Sequence, residues 1–344
     1  MSVYYNWTKE IKIEELQESA NAINTNGIVV FPTETVYGIG ANALSKDAVA
    51  KIFLAKGRPQ DNPLIVHLAQ KEDITKFCII QNEIEQKLID AFMPGPFTLI
   101  LKKKNIIPDI VSANLDTVGI RIPTSKIANE LIKASNVPIA APSANVSGRP
   151  SGTEVQDIKQ ELENKVDIII DGGKTNIGLE STVVKVIDGI PTILRPGKIT
   201  PEDIKSRIGI VKINDKIFAK PENEEQVESP GMKYRHYAPK TKCVLVDIED
   251  EDLQIKKVNE IVSEDKNAVV IGFSEHEKRV NTKNFISMGS KDNLEEISQK
   301  LYSVLRKIDS YNVNLAIIEG VNKAGLGIAI MNRLLRACEF NVKK

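Results

Sequence analysis

FTLILKKKNIIPDIVSANLDTVGIRIP, residues 97–123, carries two β-rich runs in succession, FTLILKK (97–103) and VGIRIP (118–123). In a strictly wound α/β chain each strand is followed by a helix, so strands that do not alternate with helices point to a mixed sheet. The flanks agree. N-terminal to the pair lie a helical pattern over 13–26 with Gly27 as its C-cap, the buried run GIVVF (27–31) ended by Pro32, the strand PLIVHL (63–68) and a helix over 82–92. C-terminal to it come a helix from Ser125 to about Ala134 and the strands PIAAPSA (138–144), VDIIIDGG (166–173), STVVKVI (181–187) and TILRPG (192–197). The segment ITPEDIKSRI (199–208) predicts a capped helix, with Thr200 as N-cap, Pro201 at its first position and Asp203 at its third. Residues 1–217 are therefore expected to form an α/β domain on a mixed sheet.

The polar, acidic stretch KPENEEQVE (220–228) reads as exposed linker, and residues 218–241 are assigned to the connection. Beyond it the pattern changes to KCVLVDI (242–248), helix 252–264, AVVIGF (268–273), the weak strand NFISMG (284–289), helix 291–310, NLAIIEG (314–320) and helix 327–338. Strands alternating with helices predict a smaller, doubly wound, Rossmann-like domain over 242–344.

The totals fit such a chain. Its 344 residues favour two domains, and 42% apolar with 27% charged residues is the make-up of a globular protein. Lys+Arg and Asp+Glu each number 46, so bulk charge does not hold this protein on nucleic acid, although a local basic pocket stays open. Cys78, Cys243 and Cys338 are widely spaced, which argues against a disulfide framework or structural zinc and for reduced thiols in a cytoplasm. Cys243 and Cys338 fall in a predicted strand and helix and read as core. The N-terminus lacks a signal-peptide core, and no apolar run reaches the roughly 18 residues that span a bilayer. A cytoplasmic protein without membrane partner is expected.

Several polar clusters fall at predicted strand ends. In KGRPQDNPLIVH (56–67), Lys56 and Arg58 stand two apart and, in an extended segment, would face one way. A point charge beside a planar fork suits a polyphosphate; a solvated basic turn after a helix is the other reading. APSANVSGRPS (141–151) sets Ser143, Asn145, Ser147 and Ser151 behind a buried strand, where ligands bind in open α/β sheets and free N–H groups make an anion nest. An ordinary Ser/Asn/Gly turn would look the same. FPTETVYGIG (31–40) could close on a small polar ligand, and GGKTNIGLESTVV (172–184) and ILRPG (193–197) add Ser181 and Arg195. Arg121 sits in a strand between apolar neighbours and needs an anion, either a structural carboxylate or a substrate's. With no GxxxxGK[ST], GxSxG or HExxH, chemistry would rest on positioning and charge neutralisation of phosphates rather than on a covalent nucleophile.

These segments, with KIFLAKGRPQDNPLIVH, MPGPFTLIL, the linker SPGMKYRHYAP (229–239) and GLGIAIMNRLLRA (325–337), resemble the threonylcarbamoyl-AMP synthases of the long form, a YrdC-like catalytic domain followed by a Rossmann-like extension. The resemblance covers nearly the whole chain, and its signature is the K-x-R and S-x-N pair, here Lys56, Arg58, Ser143 and Asn145. It implies an α/β YrdC-like domain with a concave basic pocket. It also implies synthesis of threonylcarbamoyl-adenylate and pyrophosphate from ATP, L-threonine and bicarbonate, the first step of N6-threonylcarbamoyladenosine formation at position 37 of ANN-decoding tRNA. A downstream transferase complex would complete the modification, and direct tRNA contact is expected to be weak. Mg²⁺ would be held through phosphates and water, with no metal ligand from protein side chains.

By the same resemblance, Lys56 and Arg58 are the catalytic pair. Nucleotide contacts would come from these two with Asn62, Thr117, Ser143, Asn145, Ser151, Arg195, Tyr234 and Tyr237. Threonine would be taken by Thr33, Thr35, His67, Arg121, Ala141 and Ser181, with Arg121 on its carboxylate. The linker would be a lid, its Lys233, Arg235 and His236 meeting phosphates, Tyr234 and Tyr237 stacking on substrate, and Pro230-Gly231 serving as hinge; the alternative is that the tyrosines glue the domains together. A rival class is a module that binds double-stranded RNA or tRNA without catalysis, which Lys56/Arg58, Lys102–Lys104 and Lys233/Arg235 permit and the zero net charge disfavours. A relative transferring an acyl or carbamoyl group to another nucleotide is a second rival. GLGIAI lacks the third glycine of a dinucleotide fingerprint, and His276 reads as a charged-loop residue without a role.

Overall fold

Successive side chains of a strand point to opposite faces, and the strand Val29–Pro32 shows the consequence. Val30 joins a core with Ile39, Ile52, Leu64 and Phe97, while Val29 and Phe31 join another with Trp7, Leu131 and Ile170. Both faces are covered, which is why these strands read as continuous apolar runs.

The structure, a computed structural model, describes residues 1–220, 228–230 and 236–344. The first sheet has 12 strands. In spatial order it runs Val3–Asn6, Ile168–Asp171, Val29–Pro32, Tyr37–Asn42, Ile139–Ala140, Ile65–His67, Thr117–Arg121, Phe97–Lys103, Thr182–Ile187, Ile190–Arg195 and Lys212–Ile213, with Cys78–Ile79 paired to Phe97–Lys103 off this path. The two successive strands that the sequence predicts are an antiparallel pair, Phe97–Lys103 on Thr117–Arg121, while Ile65–His67 runs parallel to the latter. The sheet is mixed, as expected.

The second sheet has five strands, all paired in parallel: Phe285–Gly289, Val269–Phe273, Leu315–Glu319, Lys242–Val246 and Val342–Lys343. In Lys242–Val246 the alternation again sorts the faces. Cys243 and Leu245 pack with Leu301 of the helix Leu294–Ile308 and Leu334 of the helix Leu326–Ala337. Val244 and Val246 pack with Val258 and Val262 of the helix Glu251–Glu264. Helices thus cover both faces, the doubly wound arrangement. Among the described residues no helix is long and apolar enough to cross a membrane.

Some elements escape the sequence pattern. Tyr37–Asn42 contains two glycines and shows no alternation, yet it pairs with Val29–Pro32 because the ring of Phe31 fills the space of the missing side chain: a Cβ on Gly40 would lie 2.6 Å from it. The first helix stops at Asn24 with Thr25 as C-cap, not at Gly27. His276, expected in an open loop, is 1% exposed, and its Nδ1 lies 3.0 Å from a carboxylate oxygen of buried Glu319. Cys243 and Cys338 are both buried.

The two sheets share no strand, and side chains and backbone join them. The helix Leu326–Ala337 is buried along its whole length, and its Asn332 Nδ2 donates to the Ile217 carbonyl. Arg306 pairs with Glu161 at 2.6 Å and Arg149 with Asp309 at 2.7 Å. The backbones come close at Gly178, φ +80°, where a Cβ would lie 2.4 Å from the Ser298 carbonyl oxygen; Ser298 Oγ in turn donates to Ile177 O at 3.0 Å. Gly178→Ala therefore meets both a positive φ and a backbone wall, and should destabilise the protein by about 1–3 kcal/mol, read as a lowered urea midpoint. An unchanged midpoint would mean that the two backbones have room to part.

Candidate functional site

A cavity opens where several strands end. Ile65–His67 and Thr117–Arg121 run parallel with His67 opposite Arg121, so both final side chains reach the same edge. Arg195 ends its own strand nearby. All three line the cavity, together with Thr33, Ala141 and Ser181. This is where ligands bind in open α/β sheets.

The basic pair is placed by a helix end. Lys56 is the last residue of the helix Lys46–Lys56, and Gly57 at φ +58° caps it in the left-handed conformation and turns the chain so that Arg58 faces the cavity. The extended geometry expected for Lys56-Gly57-Arg58 is not what occurs. Lys56 is 1% exposed and donates to the carbonyls of Ser143 and Asn145 at 2.5 and 2.6 Å. It braces the S-x-N loop from behind and does not line the cavity. Burial first, and then Arg58 beside it, push its pKa well below the usual lysine value. Arg58 Nη2 donates to the Asn62 and Pro63 carbonyls.

The loop that Lys56 braces presents Ser143 and Asn145 to the cavity. Ser143 Oγ donates to Asn145 Oδ1 at 2.6 Å, while Asn145 Nδ2 donates to the carbonyls of Val146 and Arg149. Ser151 Oγ donates to Glu180 Oε1 at 2.6 Å. Arg195 holds Ser181 through its carbonyl and Oγ, and reaches Pro230 O at 3.1 Å. Ser181 Oγ also lies 2.7 Å from Thr98 Oγ1. On the opposite wall, Arg121 Nη2 pairs with Glu34 Oε1 at 2.7 Å, while its Nε has no hydrogen-bond partner among the described residues. Burial, and then Arg121, lower the pKa of His67 to about 3, so the imidazole is neutral at pH 7.

The comparisons with known proteins rest on this frame. Residues 21–197 match the Sua5, YciO and YrdC family model, described as telomere recombination, and residues 199–338 match the model described as the threonylcarbamoyl-AMP synthase C-terminal domain. A Pyrococcus abyssi threonylcarbamoyl-AMP synthase is 39% identical over 348 residues, spanning 100% of both chains. The chain belongs to the threonylcarbamoyl-AMP synthase family. The Bacillus subtilis threonylcarbamoyl-AMP synthase is 40% identical over 94% of this chain and 92% of the relative. A solved structure of the Pyrococcus abyssi protein complexed with L-threonine superposes with a TM-score of 0.92, at 39% identity over 99% of each chain.

Of the residues that the sequence assigned to a threonylcarbamoyl-AMP synthase site, Thr33, Arg58, His67, Arg121, Ala141, Ser143, Asn145, Ser151, Ser181, Arg195, His236 and Tyr237 line the one cavity. Four do not. Lys56 is turned onto backbone carbonyls, and Asn62 is buried with its Oδ1 unpartnered among the described residues. Thr35 is fully buried behind Thr33, their hydroxyls 2.8 Å apart. Thr117 begins the strand that Arg121 ends, and its hydroxyl donates to Glu228, so the length of the strand separates it from the cavity edge. Lys233, Tyr234, Arg235 and Gly231 of the lid lie outside the described residues. Tyr237, expected to stack on substrate, is buried at φ +62° with its ring 5.3 Å from that of Tyr302. It joins the two domains while presenting part of itself to the cavity.

Sequence reading missed two carboxylates, Glu34, which pairs with Arg121 of the wall, and Glu180, which lines the cavity. Glu34 was discoverable: a strand arginine that needs an anion has a glutamate three residues after Phe31 in FPTETVYG. Glu180 had no such signal, because its partners, Tyr302 and Arg333, lie in the other domain.

His67 has a consequence for stability. An unfolded histidine takes up a proton below about pH 6.5, whereas His67 does so only near 3, so between these values the unfolded chain binds more protons and stability falls as pH falls. His67→Gln should remove up to about 1.4 kcal/mol per pH unit of that loss between pH 6 and 4. Denaturation midpoints of both proteins across this window would show it. Parallel curves would mean that His67 titrates as in open solvent.

Proposed function

We propose that this cavity catalyses the ATP-dependent formation of L-threonylcarbamoyl-adenylate. The observation that carries the reading is the convergence of Arg58, Arg121 and Arg195 with the small donors Ser143, Asn145 and Ser181 around one cavity, in a member of the threonylcarbamoyl-AMP synthase family whose Pyrococcus abyssi relative has been solved with L-threonine. The threonine amine combines with bicarbonate to give a carbamate and water. A carbamate oxygen then attacks the α-phosphorus of ATP, forming the mixed anhydride as the bond to the β-phosphate breaks and pyrophosphate leaves. The product supplies the threonylcarbamoyl group for N6 of adenosine 37 in ANN-decoding tRNAs, with the transfer carried out by other proteins.

The residues divide the work by charge. Arg58 and Arg195 face the phosphates and stabilise charge that builds on the departing pyrophosphate. Lys56 acts through the loop it braces, by holding the Ser143 and Asn145 carbonyls. Ser143 and Asn145 orient the α-phosphate region. Arg121, with its Nε unclaimed, takes the threonine carboxylate beside Glu34, and neutral His67 donates or accepts a hydrogen bond at the threonine hydroxyl or the carbamate. Mg²⁺ would arrive with the nucleotide, held on phosphate and water ligands. Pro230, His236 and Tyr237 of the motif SPGMKYRHYAP line the cavity, which supports a role for this motif in keeping water from ATP and the adenylate.

Pyrophosphate release by the purified protein tests the reading. Release should require ATP, threonine and bicarbonate together, and Arg58→Ala should lower it by about 10²-fold or more. Release that persists without threonine or without bicarbonate would assign the cavity to a different reaction.

A further inference from the structure

Among the described residues of the wall, Glu180 is the one whose charge opposes the ligand proposed above. It lines the cavity, is 7% exposed, and sits one residue before Ser181. Burial alone would favour its neutral form, but Arg333 and Arg195 outweigh it and bring the carboxyl down to about 2, so it is an anion at any working pH. A buried anion beside a triphosphate costs affinity unless something neutralises it.

The neutralising group comes from the other domain. Arg333, 0% exposed in the helix Leu326–Ala337, donates from Nε to Glu180 Oε2 at 3.0 Å and from Nη2 to Pro196 O at 3.0 Å, next to Arg195. Tyr302, also 0% exposed, donates its hydroxyl to the same Oε2 at 2.7 Å. Neither Arg333 nor Tyr302 lines the cavity; both approach Glu180 from behind. The other oxygen, Oε1, accepts from Ser151, which does line it. Arg333 also lies over the ring of Tyr237, 5.3 Å from its centroid, and Tyr237 stacks on Tyr302. One carboxylate therefore fixes a wall hydroxyl on one side and is claimed by the second domain on the other.

We propose that the Rossmann-like domain completes the nucleotide site in cis: Arg333 and Tyr302 are positioning residues that neutralise and orient Glu180, so that Ser151 is aimed at the nucleotide and Arg58 and Arg195 keep their charge for its phosphates. Without Arg333, Glu180 competes with the phosphates for Arg195, whose guanidinium is already close enough to feel it. The inference rests on the assignment of ATP to this cavity, and its test separates the two.

The test is a double-mutant cycle on the full chain, read as ATP dissociation constant by calorimetry and as the ATP KM for pyrophosphate release. Arg333→Met should weaken ATP binding at least tenfold while leaving the threonine KM within threefold. Arg333→Lys, which keeps the charge, should stay within threefold of the parent. Glu180→Gln with Arg333→Met, which removes both charges, should recover most of the lost affinity, an effect that mere damage to packing would not produce. If Arg333→Met does not fold alone, Tyr302→Phe, with and without Glu180→Gln, runs the same comparison with a smaller effect. A single Arg333→Met variant with unchanged ATP affinity, or a double variant no better than the single, overturns the proposal. If the parent protein binds no ATP, the assignment of the nucleotide fails and the proposal with it; if ATP binds but no pyrophosphate forms, the binding cycle still decides for or against Arg333.

Discussion

A buried carboxylate meeting a buried guanidinium across a domain boundary sets the terms for this protein. An ion pair inside a protein stabilises little by itself, because desolvating two charges offsets most of their attraction. Such a pair persists when every remaining donor and acceptor is satisfied, and around Glu180 they are: Ser151, Tyr302 and Arg333 share its two oxygens, and Arg333 spends its other nitrogens on Asn332 and Pro196. The pair is directional where an apolar contact would not be, so it fixes how the helix Leu326–Ala337 sits against the strand ends of the first sheet. Gly178 and Ser298 then bring the backbones together with no side chain between them.

The same economy appears at Lys56. A lysine buried against two backbone carbonyls stands back from the cavity and instead holds the loop that lines it. The cavity wall is thus built of short side chains, arginines and Glu180, positioned from one layer back by Lys56 on one side and by Arg333 and Tyr302 on the other. Preorganised donors of this kind need little rearrangement when charge develops on a bound phosphate.

Much of this was legible in the sequence, and what was not has physical reasons. The successive runs FTLILKK and VGIRIP announced a mixed sheet, in which the structure pairs them antiparallel, and the alternation after residue 242 announced a doubly wound unit, whose strands are parallel. Most of the cavity lining followed from motifs at strand ends, because a sheet brings its strand termini to one edge whatever the loops do. Lys56 was seen but its direction misjudged, since Gly57 at positive φ ends a helix where an extended segment was expected. Thr117 was placed by resemblance, and its position at the far end of a strand could not be read from spacing. Glu180 was invisible because its meaning depends on Tyr302 and Arg333, more than a hundred residues away. The polar Asn332-Arg333 pair within the apolar run GIAIMNRLLRA was the available hint: a helix buried on every side carries such residues only where partners await them.

The position of that helix has a bearing on how the molecule is made. Chains fold from the N-terminus as they are synthesised, so the twelve-stranded unit with its arginines and serines can assemble while the last helix is still being translated. Until Leu326–Ala337 emerges, Glu180 is without Arg333 and has only Arg195 and Ser151 of its own domain to answer it. On the proposal made above, the nascent chain then holds a first sheet whose nucleotide site still waits for Arg333 and Tyr302.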